Sequence, residues 1–199
     1  MKKNIAVIGC GHWGKNLVRN FSELGALAAV CDPNDDLAKS YAEKYNVGNL
    51  SFTAIIDDPA IEGVVLAVPA PLHASMAIEV MNSGKHVYVE KPLAMNKVEA
   101  EDMIAASKKN GVQLMVGHLL QYHPVFVAVR GLVESGELGA LSYIYSNRLS
   151  FGKVRSEEDV IWSFAPHDIS MILSLTGQEP ELVRTESSWI LQANIADTA

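Results

Sequence analysis

Residues 5–14 read IAVIGCGHWG, an apolar run that leads directly into the spacing G-x-G-x-x-G. The apolar run predicts a buried strand, and the glycines predict a tight turn that opens a helix. In this kind of turn one glycine permits the bend, one lets the backbone approach a pyrophosphate, and one lets the helix pack closely. The segment therefore predicts a dinucleotide-binding turn, whose candidate residues are Gly9, Gly11, His12, Trp13 and Gly14.

A carboxylate follows the second predicted strand. Asp32 stands about 20 residues beyond the glycines, where an acidic residue accepts hydrogen bonds from the adenosine ribose hydroxyls and repels a 2′-phosphate. The next residue is Pro33, whereas an NADP site favours a nearby arginine. The pattern therefore predicts NAD rather than NADP as the cofactor. Trp13, inside the turn, either covers that cofactor or packs beneath the following helix.

Strand and helix patterns alternate along the first 120 residues, which is typical of a parallel α/β sheet with short connections. Apolar runs rich in Val, Ile or Leu predict strands over 4–9, 27–31, 63–68, 86–90 and 112–117. Helical spacing predicts helices over 14–24, 35–45, 72–82 and 97–110. The expected end signals are a capping box of Asn96 and Glu99 and C-terminal caps at Gly25, Gly84 and Gly111.

The pattern changes near residue 120. We expect an apolar helix up to about residue 135, a strand of alternating apolar and polar residues over 141–149, a helix over 160–175 and a strand over 181–191. Such alternation is typical of a sheet with one exposed or ligand-facing side. We therefore predict an NAD-binding Rossmann domain, with a doubly wound parallel sheet, over 1–120 and a different domain over 121–199. Two or three strands make a poor independent sheet, so we expect this second domain to be incomplete.

The composition argues against several classes of protein. A length of 199 residues with 49% hydrophobic residues suits one complete domain and part of another, and a net charge of -7 opposes binding along a nucleic-acid backbone. No apolar stretch reaches the roughly 18 residues of a spanning helix, so we expect a cytoplasmic protein without a membrane partner. The two cysteines and six histidines match neither a disulfide framework nor a zinc spacing, so we predict no metal site.

Further candidate residues lie where the predicted strands end. Glu90 and Lys91 close one strand at the crevice side of the sheet, where a buried ammonium and carboxylate must satisfy each other or a ligand. Pro69 ends the preceding predicted strand and leaves the cofactor edge open. His73 either caps the next helix or touches cofactor or substrate. In the later helix, His167 is either a structural histidine or a candidate general base.

Four motifs follow one another along the chain: GCGHWG at 9–14, AVPAPLH at 67–73, GKHVYVEKP at 84–92 and APHD at 165–168. Together they resemble the Gfo/Idh/MocA oxidoreductase family over essentially the whole chain. A closer resemblance, to the branch that oxidises C3 of UDP-N-acetylglucosamine or its uronic acid, rests on GHLLQYHP at 117–124, SNRL at 146–149 and WSFAPHD at 162–168.

The resemblance implies a Rossmann domain followed by an α+β domain with a large, mostly antiparallel sheet, which forms the substrate wall and the interface of a homo-oligomer. It implies that Lys91 and His167 are the catalytic pair and that Glu90 orients Lys91. The implied cofactor-binding residues are Gly9, Gly11, His12, Trp13, Gly14, Asp32, Pro69, His73, Glu90 and Lys91. The implied substrate-binding residues are Lys91, Gln121, Tyr122, Asn147, Arg148, Trp162 and His167.

Two residues leave alternatives open. Many members of this family carry an acidic residue four positions before the histidine, where this chain has Ser163, so either Lys91 or His167 takes the proton. Arg148 pairs either with a pyrophosphate or uronate of the substrate or with an acidic residue within the sheet. The first expectation for function is an NAD-dependent dehydrogenase of a nucleotide sugar. The alternatives are a dehydrogenase of a free sugar or inositol and a non-catalytic NAD-binding module.

Overall fold

The computed structural model of the chain describes residues 2–149 and 159–199. These residues form two compact units, which divide between Gly117 and His118. Within the described ranges, no helix combines the length and the apolar character needed to cross a membrane.

The first unit is built around a six-stranded sheet in which every neighbouring pair of strands is parallel. The strand order is β3-β2-β1-β4-β5-β6. Because the order reverses between β1 and β4, this is the doubly wound Rossmann sheet that the sequence predicts, and such sheets bind ligands beyond the carboxyl ends of their strands. The strands are β1 Ile5–Ile8, β2 Leu27–Cys31, β3 Gly48–Asn49, β4 Gly63–Leu66, β5 His86–Val89 and β6 Leu114–Val116.

Helices cover both faces of this sheet. Alternate residues of a strand point to opposite faces, so Ala6 and Val7 of β1 enter different hydrophobic clusters. Ala6 shares its cluster with Ala77, and Val7 shares its cluster with Val18. Burial on both faces explains why the strands read as nearly continuous apolar runs. The helices are α1 Gly14–Glu23, α2 Asp35–Tyr45, α3 Phe52–Asp57, α4 His73–Asn82 and α5 Lys97–Asn110.

The predicted end signals of α5 are present, with one change. The Asn96 side chain accepts a hydrogen bond from the Glu99 N–H at 3.0 Å, which caps the first turn. The Glu99 carboxylate returns to the N–H of Met95 at 3.0 Å, one residue before the position that a capping box uses. At the other end Gly111 has a φ of 66°, the left-handed conformation expected of a C-terminal cap.

Sequence periodicity missed two short elements, β3 and α3. β3 contains two residues at the edge of the sheet, too few to show a period of two. α3 contains six residues, and its signal is the preceding Ser51, whose hydroxyl accepts a hydrogen bond from the Ala54 N–H at 3.2 Å.

The second unit contains the two predicted helices, α6 Pro124–Glu134 and α7 Val160–Thr176. The strands predicted over 141–149 and 181–191 are wrong. An alternating pattern selects which side chains share a face, but a strand forms only where a neighbour completes its backbone hydrogen bonds. In the described part of this unit, such pairing is limited to one antiparallel bridge between Ser188 and Thr198. Tyr143 and Leu149, which alternation places on one face, are each 85% exposed, and the mostly antiparallel sheet is not among the described elements.

Candidate active site

The glycine turn joins β1 to α1 at the carboxyl edge of the sheet. Gly9 has a φ of 90°, and a Cβ there would overlap the carbonyl oxygen of Ala67. A Cβ at Gly14 would overlap the carbonyl oxygen of Gly9. A Cβ at Gly11 would meet nothing within 4 Å. Two of the glycines are therefore needed for packing of the turn, and the third faces open space beside the helix N-terminus, where a phosphate group fits.

Asp32 follows β2 and is held by the turn beside it. Its Oδ2 accepts a hydrogen bond from the Cys10 N–H at 2.7 Å, and its Oδ1 accepts one from the Asn34 N–H at 2.9 Å. A carboxylate offers about four acceptor sites, so these two bonds orient Asp32 and leave acceptor capacity for ribose hydroxyls. Burial, together with the Asp32 charge, raises the pKa of the Cys10 thiol to about 12. Burial likewise raises the pKa of Cys31.

Glu90 connects three parts of this edge. The carboxylate is buried, and its Oε1 accepts hydrogen bonds from the Trp13 indole N–H at 2.8 Å and from the Tyr88 hydroxyl at 2.9 Å. Its Oε2 accepts a bond from the backbone N–H of Lys91 at 3.3 Å. Trp13 is 45% exposed, so it does not pack beneath α1 and instead links the glycine turn to the end of β5. The carboxylate thus orients the backbone at Lys91, whose own side chain is partly buried.

Two residues around Glu90 were not singled out from the sequence. Tyr88 lies two positions before Glu90, so both side chains project from the same face of the strand, and this spacing was an available signal. Gly117 follows β6, and a Cβ there would lie 2.6 Å from the Tyr88 hydroxyl and 2.9 Å from Glu90 Oε2. The missing side chain at Gly117 makes room for the carboxylate, a role that depends on the pairing of β5 with β6.

His73 is the first residue of α4 and is 1% exposed. Its Nδ1 lies 2.7 Å from the carbonyl oxygen of Pro92, and its Nε2 lies 2.9 Å from that of Val68. Both ring nitrogens therefore face backbone carbonyls of the protein. Pro69 lies in the loop between β4 and α4. The Lys91–Pro92 peptide bond is cis.

In the second unit, α7 carries His167 and Ser163 on one buried face. The N-cap of this helix is Asp159, whose side chain accepts a hydrogen bond from the Trp162 N–H at 2.9 Å. The ring of His167 contacts the ring of His118 edge to face, with 6.0 Å between the ring centroids and 79° between the planes. His118 was not among the sequence candidates, because nothing local relates two histidines so far apart in the chain.

Arg148 forms an ion pair with Asp168, the residue after His167. Its Nε lies 2.5 Å from Oδ2 and its Nη2 lies 3.4 Å from Oδ1 of that carboxylate, while the Ser146 hydroxyl donates to Oδ1 at 2.8 Å. The ion-pair alternative is therefore realised, between an irregular segment and α7 rather than within a sheet.

The other predicted substrate residues of this unit differ in exposure. Gln121 donates a hydrogen bond to the Ser170 hydroxyl at 3.3 Å, Tyr122 and Asn147 are exposed, and Trp162 is partly buried. Within residues 2–149 and 159–199, no group of three or more His, Cys, Asp or Glu residues could hold a metal ion.

Comparison with known proteins agrees with this geometry. Residues 3–118 match the family described as oxidoreductases with an NAD-binding Rossmann fold. The chain belongs to the Gfo/Idh/MocA oxidoreductase family. NAD is accordingly the cofactor of the first unit.

Named relatives of this family member act on different substrates. UDP-N-acetylglucosamine 3-dehydrogenase of Acidithiobacillus ferrooxidans is 32% identical over 89% of this chain and 56% of its own length. A solved structure of that enzyme superimposes with a TM-score of 0.86 at 29% identity, over 96% of this chain and 62% of the other. Inositol 2-dehydrogenase of Salmonella typhimurium is 23% identical over 92% of this chain and 57% of its own length. The chain thus spans less than two thirds of these relatives.

Proposed function

We propose that this protein is an NAD-dependent dehydrogenase of a sugar secondary alcohol, acting at C3 of a nucleotide sugar of the UDP-N-acetylglucosamine type. The observation that carries the proposal is the buried Glu90 carboxylate, which joins the glycine turn, through Trp13, to the backbone of Lys91. A dinucleotide-binding turn and a lysine therefore lie on the same edge of one sheet. The first can hold the hydride acceptor, and the second can accept the hydroxyl proton or stabilise the alkoxide. The similarity to UDP-N-acetylglucosamine 3-dehydrogenase supports the choice of substrate.

In this proposal the residues of the first unit bind and orient the cofactor. The turn at Gly11 and the N-terminus of α1 hold the diphosphate, and Asp32 holds the adenosine ribose. Bound NAD supplies the hydride acceptor at C4 of its nicotinamide ring. Pro69 and the loop after β4 border the same edge, and Glu90 keeps the Lys91 backbone in place by accepting its N–H.

The hydroxyl proton of the sugar goes to Lys91 or to His167. In one form of the proposal Lys91 accepts the proton as the substrate carbon loses its hydride. In the other, Lys91 remains charged and stabilises the developing alkoxide, while His167 accepts the proton. A carboxylate at position 163 would stabilise the imidazolium, and Ser163 is neutral, which favours the form in which Lys91 is the base.

The proposed substrate contacts lie on the second unit. Gln121, Tyr122, Asn147 and Trp162 supply amide, hydroxyl and aromatic groups suited to a sugar ring. Arg148 retains guanidinium N–H groups beyond those it donates to Asp168, so it is our candidate for the substrate diphosphate or uronate.

The test is turnover with NAD and each candidate substrate, measured as the absorbance of NADH. We expect UDP-N-acetylglucosamine or its uronic acid to be oxidised and free inositol not to be. Lys91→Ala should lower kcat by at least about 100-fold. Lys97→Ala, at a side chain that is 86% exposed, is the matched control and should behave as the parent.

The alternatives give different results in the same assay. Oxidation of inositol with no response to UDP-sugars would identify a polyol dehydrogenase, which the inositol 2-dehydrogenase relative makes the second candidate. If NAD binds and neither substrate is turned over by parent or Lys91→Ala, the chain is an NAD-binding module without catalysis.

A further inference from the structure

We propose that His73 is a positioning residue, which ties the loop after β4 to the turn that carries Lys91. The inference rests on the proposed function, because it concerns the lysine that the proposed reaction uses. It assigns His73 a role through the protein backbone rather than through contact with cofactor.

The geometry of His73 supports this role. β4 and β5 are neighbouring parallel strands, with Leu66 opposite Val89, so their two loops leave the same edge of the sheet side by side. The His73 ring lies between these loops, 1% exposed, with one nitrogen 2.9 Å from the Val68 carbonyl oxygen and the other 2.7 Å from the Pro92 carbonyl oxygen.

The chemistry of the contacts makes them directional. A carbonyl oxygen only accepts hydrogen bonds, so each contact is a bond when the facing ring nitrogen carries a proton. Either neutral tautomer of His73 donates to one of the two carbonyls, and the imidazolium donates to both. A phenyl ring at this position would fill the same space and donate to neither carbonyl, so the hydrogen bond from His73 to the backbone would be lost.

These contacts restrain the backbone at Lys91, because polar side chains bind the peptide groups on both sides of it. Before it, the Glu90 carboxylate accepts the Lys91 N–H at 3.3 Å, and after it, His73 contacts the carbonyl of Pro92. Loops are ordinarily more mobile than the strands they follow. Anchoring the peptide groups on either side of Lys91 restricts where its side chain can reach, which is what a reacting group at a cofactor edge requires.

The primary test is the rate at which an amine-acylating reagent, acetic anhydride, modifies Lys91 in the intact protein without cofactor. Peptide mass spectrometry gives this rate relative to that of the exposed Lys97. In His73→Phe we expect the ratio to rise severalfold, and in His73→Gln, which keeps an N–H donor, we expect an intermediate value. His86→Phe is the matched control, since it removes the hydrogen bond from the Gln113 N–H at the opposite end of β5 and should leave the ratio unchanged.

The outcomes separate the inference from the proposed function. An unchanged ratio in His73→Phe, or equal ratios in His73→Phe and His73→Gln, would overturn the positioning role. If His73→Phe does not fold, the comparison of His73→Gln with the parent decides: a raised ratio supports the role and an unchanged one overturns it. In turnover assays, misplacement of Lys91 should lower kcat by about 10- to 100-fold with little change in KM for NAD. A parent without turnover contradicts the proposed function, while the labelling ratios still decide the role of His73.

Discussion

The two carboxylates at the cofactor edge, Asp32 and Glu90, are each held by donors of the protein itself. Asp32 accepts two backbone N–H groups, and Glu90 accepts an indole N–H, a tyrosine hydroxyl and a backbone N–H. Hydrogen bonds to a charged group contribute more than those between neutral groups, so both side chains are fixed before a ligand binds. Their roles differ, because Asp32 retains acceptor sites for a ligand whereas Glu90 organises the turn and the lysine.

Asp32→Asn tests the cofactor preference. The amide keeps one acceptor oxygen but loses the charge, so we expect the Kd for NAD to rise by about tenfold, the equivalent of one hydrogen bond to a charged group. The ratio of NADP to NAD affinity should rise as well, because the repulsion of the 2′-phosphate is removed. Titration calorimetry with both cofactors measures this. Asp36→Asn, in the first turn of α2, is the control, and an unchanged ratio in Asp32→Asn would contradict the role of the charge.

The Cys10 thiol predicts a pH dependence of stability. Burial and the Asp32 charge raise the pKa of Cys10 from 9.0 to about 12, so between these values the folded state binds a proton that the unfolded state releases. The contribution of this thiol is therefore fully present below pH 9.0 and is lost as the pH rises through that window. Urea unfolding at about pH 8 and about pH 10.5 should show a smaller loss of stability in Cys10→Ala than in the parent. Equal losses would show that Cys10 does not titrate in this way.

At the scale of elements, the β1–α1 turn contains glycines that are present for different reasons. Position 14 requires glycine because the helix packs on the turn, where a Cβ would overlap the backbone oxygen of Gly9. Position 11 also carries glycine, although no described atom lies within 4 Å of where its Cβ would be. Packing explains the glycine at position 14, and we propose that the space required by the cofactor diphosphate explains the glycine at position 11.

Alanine at position 14 should mainly lower stability, whereas alanine at position 11 should mainly weaken NAD binding. Gly14→Ala should lower the free energy of unfolding by about 3 kcal/mol, because backbone rather than a mobile side chain must move. Gly11→Ala should change stability by less than about 0.5 kcal/mol, as at an open surface site, yet weaken NAD binding by at least about tenfold. Urea unfolding and NAD titration of both variants measure this, and normal NAD affinity in Gly11→Ala would show that the diphosphate lies elsewhere.

At the scale of the whole first unit, the strand order explains why these side chains meet. β1 and β4 are adjacent at the point where the order reverses, and β2 and β5 lie on either side of them. The turn after β1, Asp32 after β2, the loop after β4 and Glu90 after β5 therefore share one edge. Parallel sheets of this kind bind ligands at that point, because the connections leave it in opposite directions and open a crevice.

Hydrogen exchange should distinguish the strands of the sheet from the irregular segments of the second unit. Amides in β1, β4 and β5 are paired on both sides by parallel neighbours and should exchange slowly. Amides over 141–149 and 181–187 belong to no described helix or strand and should exchange rapidly. The amides of Ser188, Ile190 and Leu191 donate hydrogen bonds and should exchange more slowly than these. Exchange followed by mass spectrometry measures both, and slow exchange over 141–149 would contradict the irregular conformation described for this segment.

Much of the first unit could be predicted from local pattern. Apolar runs, helical spacing and caps predict five of its strands and four of its helices. Each of these signals spans only a few consecutive residues, so it can be read from the sequence alone. β3 was too short to carry a signal. The segment over 141–149 carries an alternating signal, but the described residues contain no partner strand for it. Alternation describes side chains, whereas a strand also needs a second backbone. The glycine turn and Asp32 could also be predicted, because the motif they form has a fixed spacing along the chain.

The sequence by itself determined the class of fold, the dinucleotide turn and the identity of the charged residues at the strand ends. Tertiary structure alone decided which of these groups touch. Trp13 and Glu90 are separated by 77 positions, and His73 and Pro92 by 19, so no local period relates them. Their contacts exist because parallel pairing places the ends of β1, β4 and β5 side by side, and burial there requires each polar atom to find a partner.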